Sequence, residues 1–191
     1  MRKTPLIAIA SLSCLFYAEP ALAQVTNFLT TAPLTKLESL QTNIAVVILK
    51  AGTEMGSVAG ESGFVAVRCR EITDTSTGHK EQGIAIEVTQ RDRLRDTMLI
   101  DYDELASLIN AIDYLTKLEV SVTPLDTFDA AYTTKGGLRI AALGTRRSGA
   151  VQFALRDARA FSTPVIFSRE QMSRFSALIN QAKGTLDSLS R

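Results

Sequence analysis

Tryptophan is absent from the 191 residues, histidine occurs once, at position 79, and cysteine twice, at positions 14 and 69. A lone histidine leaves any Ser-His-acid or Cys-His unit a single possible base, and it rules out a site built from several imidazoles. His79 lies in the polar stretch "TDTSTGHKEQG", where Asp74 and Glu81 are its nearest carboxylates in sequence, without the spacing of a metal site. No phosphate-loop or dinucleotide-binding spacing is present: Gly52, Gly56, Gly60 and Gly63 follow neither pattern and no helix is predicted after them, so they read as a long mobile connection. "GESGF" at 60–64 is not a nucleophile elbow, since it lacks the strand-to-helix context. No catalytic residue, metal ligand or cofactor is expected; a hydrolase resting on His79 is the most distant functional reading.

Long apolar runs are also missing after the first residues, so no membrane span is expected later in the chain. The first run, Leu6 to Phe16, follows Arg2 and Lys3 and ends in Ala21-Leu22-Ala23, the layout of a signal peptide. Residues 1–23 are therefore expected to be removed between Ala23 and Gln24, delivering the protein to the periplasm or the exterior. Ser11-Leu12-Ser13 before Cys14 makes a poor lipidation box. The remaining 168 residues hold 19 basic and 19 acidic side chains and one cysteine, so no internal disulfide can form. A chain of this size buries about 70% of its unfolded surface, enough for a substantial core.

What is present is pattern. Residues 24–42 form an N-terminal helix or linker, with Leu34, Leu37 and Leu40 spaced three apart behind Thr31 and Pro33. "NIAVVILKAG", "FVAVRCREI" and "GIAIEVTQ" then read as hairpin-linked strands, and "TMLI" as a fourth. In the second of these, Val65, Val67 and Cys69 share one face, which predicts a buried thiol. At Asp101 a helix begins, with Asp101 and Glu104 as a predicted capping box, Ile100 and Leu105 as a staple, and an apolar stripe from Leu105 to Leu115.

The same order recurs 67 positions later. Ser168 and Gln171 form the second box, Phe167 and Met172 the second staple, and Met172, Phe175, Leu178, Ile179 and Ala182 the second stripe. The offset carries Ile84, Ile86 and Val88 onto Val151, Phe153 and Leu155, and Leu94 onto Phe161, while "FDAAYTT" and "GLRIAAL" supply two further strands. The predicted fold is α+β, two tandem ββββα repeats at 43–122 and 123–191, each an antiparallel meander closed by an amphipathic helix.

With its junctions "MLIDYDELASLI" and "VIFSREQMSRFSALI", this plan resembles the Whirly proteins, and each copy resembles the positive-cofactor-four coactivators. That resemblance implies single-stranded DNA binding. The Lys-Gly-Lys-Ala-Ala-Leu signature of the first Whirly repeat has only a partial counterpart in Lys135-Gly136-Gly137-Leu138, which lies in the second repeat and lacks the second lysine.

Charge divides the chain. Residues 24–122 carry 9 basic and 14 acidic side chains, residues 123–191 carry 10 and 5. Either the halves attract one another, or the second offers an anion-binding surface made of Lys135, Arg139, Arg146, Arg147, Arg156 and Arg159. Tyr132 and Phe153 are the nearest rings for stacking on bases, and Phe153 alternates onto the apolar face. A third basic cluster, Arg91, Arg93 and Arg95, is interrupted by Asp92 and Asp96. The expected function is an exported, non-enzymatic binding or assembly module for a protein or anionic ligand, with homo-oligomerisation open; the alternative is a single-stranded nucleic-acid binder.

Overall fold

Alternation of apolar residues with polar ones builds two four-stranded antiparallel meanders in chain order. The computed structural model describes residues 35–90, 95–160 and 163–189. The leader and its cleavage point, Thr31, Pro33, Leu34, Arg91, Arg93, Leu94 and Phe161 lie outside them. The first sheet contains β1 (Ile48–Ala59), β2 (Gly63–Asp74), β3 (Lys80–Gln90) and β4 (Asp96–Asp101), followed by a 3-10 turn and helix α2 (Leu105–Thr116), after the short α1 (Lys36–Gln41). The second contains β5 (Thr127–Thr133), β6 (Leu138–Thr145), β7 (Ala150–Asp157) and β8 (Val165–Phe167), followed by α3 (Arg169–Leu189). The expected α+β tandem of four strands and a helix is the architecture of the chain.

The helices, however, are exchanged. α2 lies against β5 and β6, while α3 leaves β8 and crosses β3, β2 and β1 of the first sheet, and the two helices pack on each other. The crossing is recorded in polar contacts: the Cys69 thiol donates to the Ala182 carbonyl at 3.5 Å, and Gln171 Nε2 donates to the Ala59 carbonyl at 2.7 Å. Both apolar stripes and the inner faces of both sheets therefore merge into one core, with Ile86, Met98, Phe153, Phe167 and Phe175 fully buried. Phe167 and Phe175 meet edge to face, with ring centroids 6.2 Å apart. A second, smaller cluster sits on the outer face of the first sheet, where Leu37 and Leu40 of α1 cover Ile72, Ala85 and Leu99.

Two expectations are corrected. First, the glycine series is strand, not a mobile connection: Gly52 and Gly56 belong to β1, and Gly60 N–H donates to the Gly63 carbonyl at 2.8 Å in a tight turn. Pairing with β2 uses backbone groups that glycine retains. Gly56 marks a bulge between Glu54 and Gly56, has φ 143°, and a β-carbon there would stand 3.1 Å from Leu178 of α3. Second, Asp101 does not cap the helix that follows it. Its buried carboxylate accepts from the backbone N–H of Lys36 (2.8 Å) and Leu37 (3.1 Å), and so caps α1 together with the Thr35–Glu38 box. Glu104 instead accepts from the Lys135 backbone N–H at 2.9 Å. The Ser168–Gln171 box forms as expected, with Ser168 N–H donating to Gln171 Oε1 at 2.7 Å and Gln171 N–H to Ser168 Oγ at 3.3 Å.

The structure also shows that the offset of 67 does not preserve pairing register throughout. It carries Ile86 and Ile100 onto Phe153 and Phe167, which are directly paired, whereas Ile86 pairs with Met98 and Ile100 with Ile84. The slip is two residues, so the same side chains still face inward. β3 and β7 nevertheless hold the same third place in their sheets.

Candidate functional site

Because even-numbered residues of β6 point into the core, odd-numbered ones form the outer face of the second sheet. Arg139 on β6 stands directly opposite Arg156 on β7. Like charges in that position repel, and Arg139 relieves only its own side by reaching Asp129 Oδ2 at 3.6 Å. Next along the sheet, Ala131, Ala141, Ala154 and Ile166 make a low row across all four strands. At the far end, roughly 20 Å away at about 3.3 Å per residue, the β6–β7 turn exposes Arg146 and Arg147. The Arg146 backbone N–H donates to the Asp126 carbonyl at 2.9 Å, and Gly149, at φ 65°, closes the turn. Between that turn and Asp129 lies an open hollow of about 630 Å³, walled by Thr127, Asp129, Leu143, Thr145, Ser148 and Gln152.

The six predicted cations thus divide. Arg139 and Arg156 share one end of the face, and Arg146 and Arg147 the other. Lys135 is exposed on the β5–β6 turn, whose neighbour Gly136 approaches the first sheet so closely that a β-carbon would sit 1.7 Å from the Leu99 carbonyl oxygen. Gly137 follows at φ 95°. Lys135-Gly136-Gly137-Leu138 is therefore a junction between repeats, and its glycines serve packing. Arg159 is committed elsewhere: it pairs with Glu38 of α1 at 2.9 Å.

Among the described ion pairs, Arg159–Glu38 is the one that joins the basic second half to the acidic first half. The acids of the first half are answered largely by their own repeat, through Arg68 to Glu54 (2.8 Å), Arg95 to Glu87 (3.0 Å) and Lys80 to Glu71 (2.9 Å). Among the described ion pairs, neutralisation between the halves thus amounts to that single contact, with the charge of Lys135 also acting on Asp103.

Neither predicted ring faces outward. Phe153 is wholly buried, and Tyr132 packs on the core, its phenol pushed up by burial first and by the charge of Glu104 second. In the first repeat His79 Nε2 lies 3.2 Å from Glu81 Oε1, while Asp74 turns back to accept from Ser76 and Thr77. The three do not converge, and no group of three or more His, Cys, Asp or Glu is placed to hold a metal among the described residues. Cys69 is buried and its thiol is pushed up by burial, as expected of a small core side chain. No helix among the described residues is long and apolar enough to cross a membrane. The hollow escaped sequence reasoning because its walls come from three strands whose separate patterns carry no common signal.

Comparison with protein-family models gives no match, and searches of curated proteins and of solved structures give none either.

Proposed function

We propose that this is an exported, non-enzymatic binding module that uses the outer face of the second sheet to engage an anionic partner. The observation that carries the reading is the opposed Arg139–Arg156 pair. Arg156 stands opposite Arg139 and has no ion pair among the described residues. An anion bridging the two guanidiniums would turn a repulsion into two charge-assisted contacts. The Arg146–Arg147 turn would meet the same extended partner at the far end of the hollow. An acidic protein surface suits this face better than single-stranded nucleic acid, the partner implied by the Whirly-like plan, because Ala131, Ala141 and Ala154 offer no ring for a base to stack on.

Titration with labelled polyglutamate and with a labelled single-stranded oligonucleotide, each at low and moderate salt, tests the proposal. Polyglutamate should bind with an affinity that falls as salt rises, and Arg156→Gln or the double change Arg146→Gln/Arg147→Gln should weaken it. Tight, salt-sensitive binding of the oligonucleotide alone would transfer the face to nucleic acid. Failure of both anions to bind at low salt would end the anion reading.

A further inference from the structure

Four strands border the two sheets, and β1 is the longest of them. β8 has three residues, and its Ile166 carbonyl already accepts from Glu61 N–H at 3.1 Å. β4 carries the β5–β6 turn against Leu99. β5 has seven residues. β1 is different: it is twelve residues long, from Leu49 to Glu54 every residue is exposed, and no strand pairs with its outer edge among the described residues. Natural edge strands are blunted by brevity, proline or a bulge. The bulge of β1 comes only at Glu54/Gly56, leaving Ile48–Glu54 regular. Apolar side chains gather there without cover: Leu49 is 57% exposed, Val47 71% and, at the far end of α3, Leu189 61%. Leu189 lines the same depression as Ala51 and Thr53.

We propose that this edge pairs with the same edge of a second copy of the chain, joining two first sheets into one continuous antiparallel sheet of eight strands. The sequence of the edge is self-complementary in one register. A two-fold axis normal to the joined sheet must pair residues of the same face, so it passes through a residue and not between two. Centred on Lys50 it would oppose two lysines, and centred on Ala51 it would leave Lys50 facing glycine. Centred on Gly52 it sets Lys50 opposite Glu54 of the other copy, twice, and brings glycine against glycine at the axis. Each Glu54 keeps one oxygen for Arg68, which its Oε2 meets at 2.8 Å, and has the other free for the lysine. This surface lies on the first repeat, away from the anion-binding face, and stands or falls independently of it.

Sedimentation velocity on the protein expressed from its full sequence, over a concentration series, is the test. A dimer is expected. Lys50→Glu alone and Glu54→Lys alone each create two like-charge oppositions and should weaken the dimer about tenfold or more. Mixing the two variants restores opposite charges at both contacts and should restore the dimer as a heterodimer. Both sites are exposed, so the circular dichroism spectrum should not change; if Glu54→Lys loosens the fold by losing Arg68, the comparison of Lys50→Glu with Lys50→Gln decides alone. A chain that stays monomeric throughout, or a dimer indifferent to Lys50→Glu, overturns the proposal.

Discussion

The two sheets share a topology and differ in what lies on their outer faces. On the first, α1 seals Ile72, Ala85 and Leu99, and charged side chains answer one another through Glu54, Arg68, Glu87 and Arg95. On the second no helix among the described residues covers the face, the middle is alanine, and arginines face each other across β6 and β7. The first outer face is closed by its own chain, and the second, where Arg156 has no ion pair among the described residues, is the one proposed to meet a partner.

The exchange of helices sets the largest test of that contrast. If the two repeats were independent, a core lesion in one would spare the other. Because α2 and α3 close the opposite sheets, Phe153→Ala should cost about 3–5 kcal/mol and its counterpart Ile86→Ala about 2–5 kcal/mol, each in a single transition. Urea unfolding followed by circular dichroism and by Cys69 labelling should give coincident curves. Cys69 should react only as α3, whose Ala182 carbonyl accepts from its thiol, leaves β2. Two separate transitions would show that the repeats fold apart.

The caps sharpen the comparison next. Asp101→Ala strips two N–H groups of α1, that of Leu37 buried and that of Lys36 partly so, of their acceptor and should cost about 1–3 kcal/mol, while Ser168→Ala removes a local cap worth about 1 kcal/mol. Equal losses, measured by urea midpoint, would contradict the long-range role of Asp101.

Acid should act through the first repeat. Hydrogen bonds from Gln82 and Lys80 hold the Glu71 carboxyl below the usual range, Ser76 does the same for Asp74, and Lys36 for Asp103. A depressed folded pKa gives stability that is complete above the ordinary carboxylate pKa, about 4, and is lost as pH falls through the folded value. Melting temperature should thus drop as pH is lowered below about 4, and Asp74→Asn should make that drop shallower. The smallest effect belongs to the open face: Arg146→Gln/Arg147→Gln should leave stability within about 0.5 kcal/mol while weakening the proposed anion binding. A larger loss would mean the turn is structural after all.

Much of the fold was legible because its signals are local. Period-2 alternation in "FVAVRCREI" marked β2 and the burial of Cys69, and Ser168 with Gln171 marked the start of α3. β1 was harder: its glycines read as a connection, since strand pairing through backbone leaves no trace in side-chain pattern. Of the candidate site, Arg139, Arg156, Arg146 and Arg147 were identified from charge alone. That Arg159 would turn away to Glu38 could not be, as the two are distant in sequence.

The sequence by itself determined the order of elements, their facing, the duplication and the uneven charge, for these follow from the spacing of side chains along one chain. Tertiary structure decided which sheet each helix closes, that Asp101 caps α1 and not its own helix, the two-residue slip between β3–β4 and β7–β8, and which outer face stays open. An amphipathic stripe specifies that it must be buried but not against what, and an even-numbered slip keeps every apolar side chain inward. Those choices were left to the packing of the whole core.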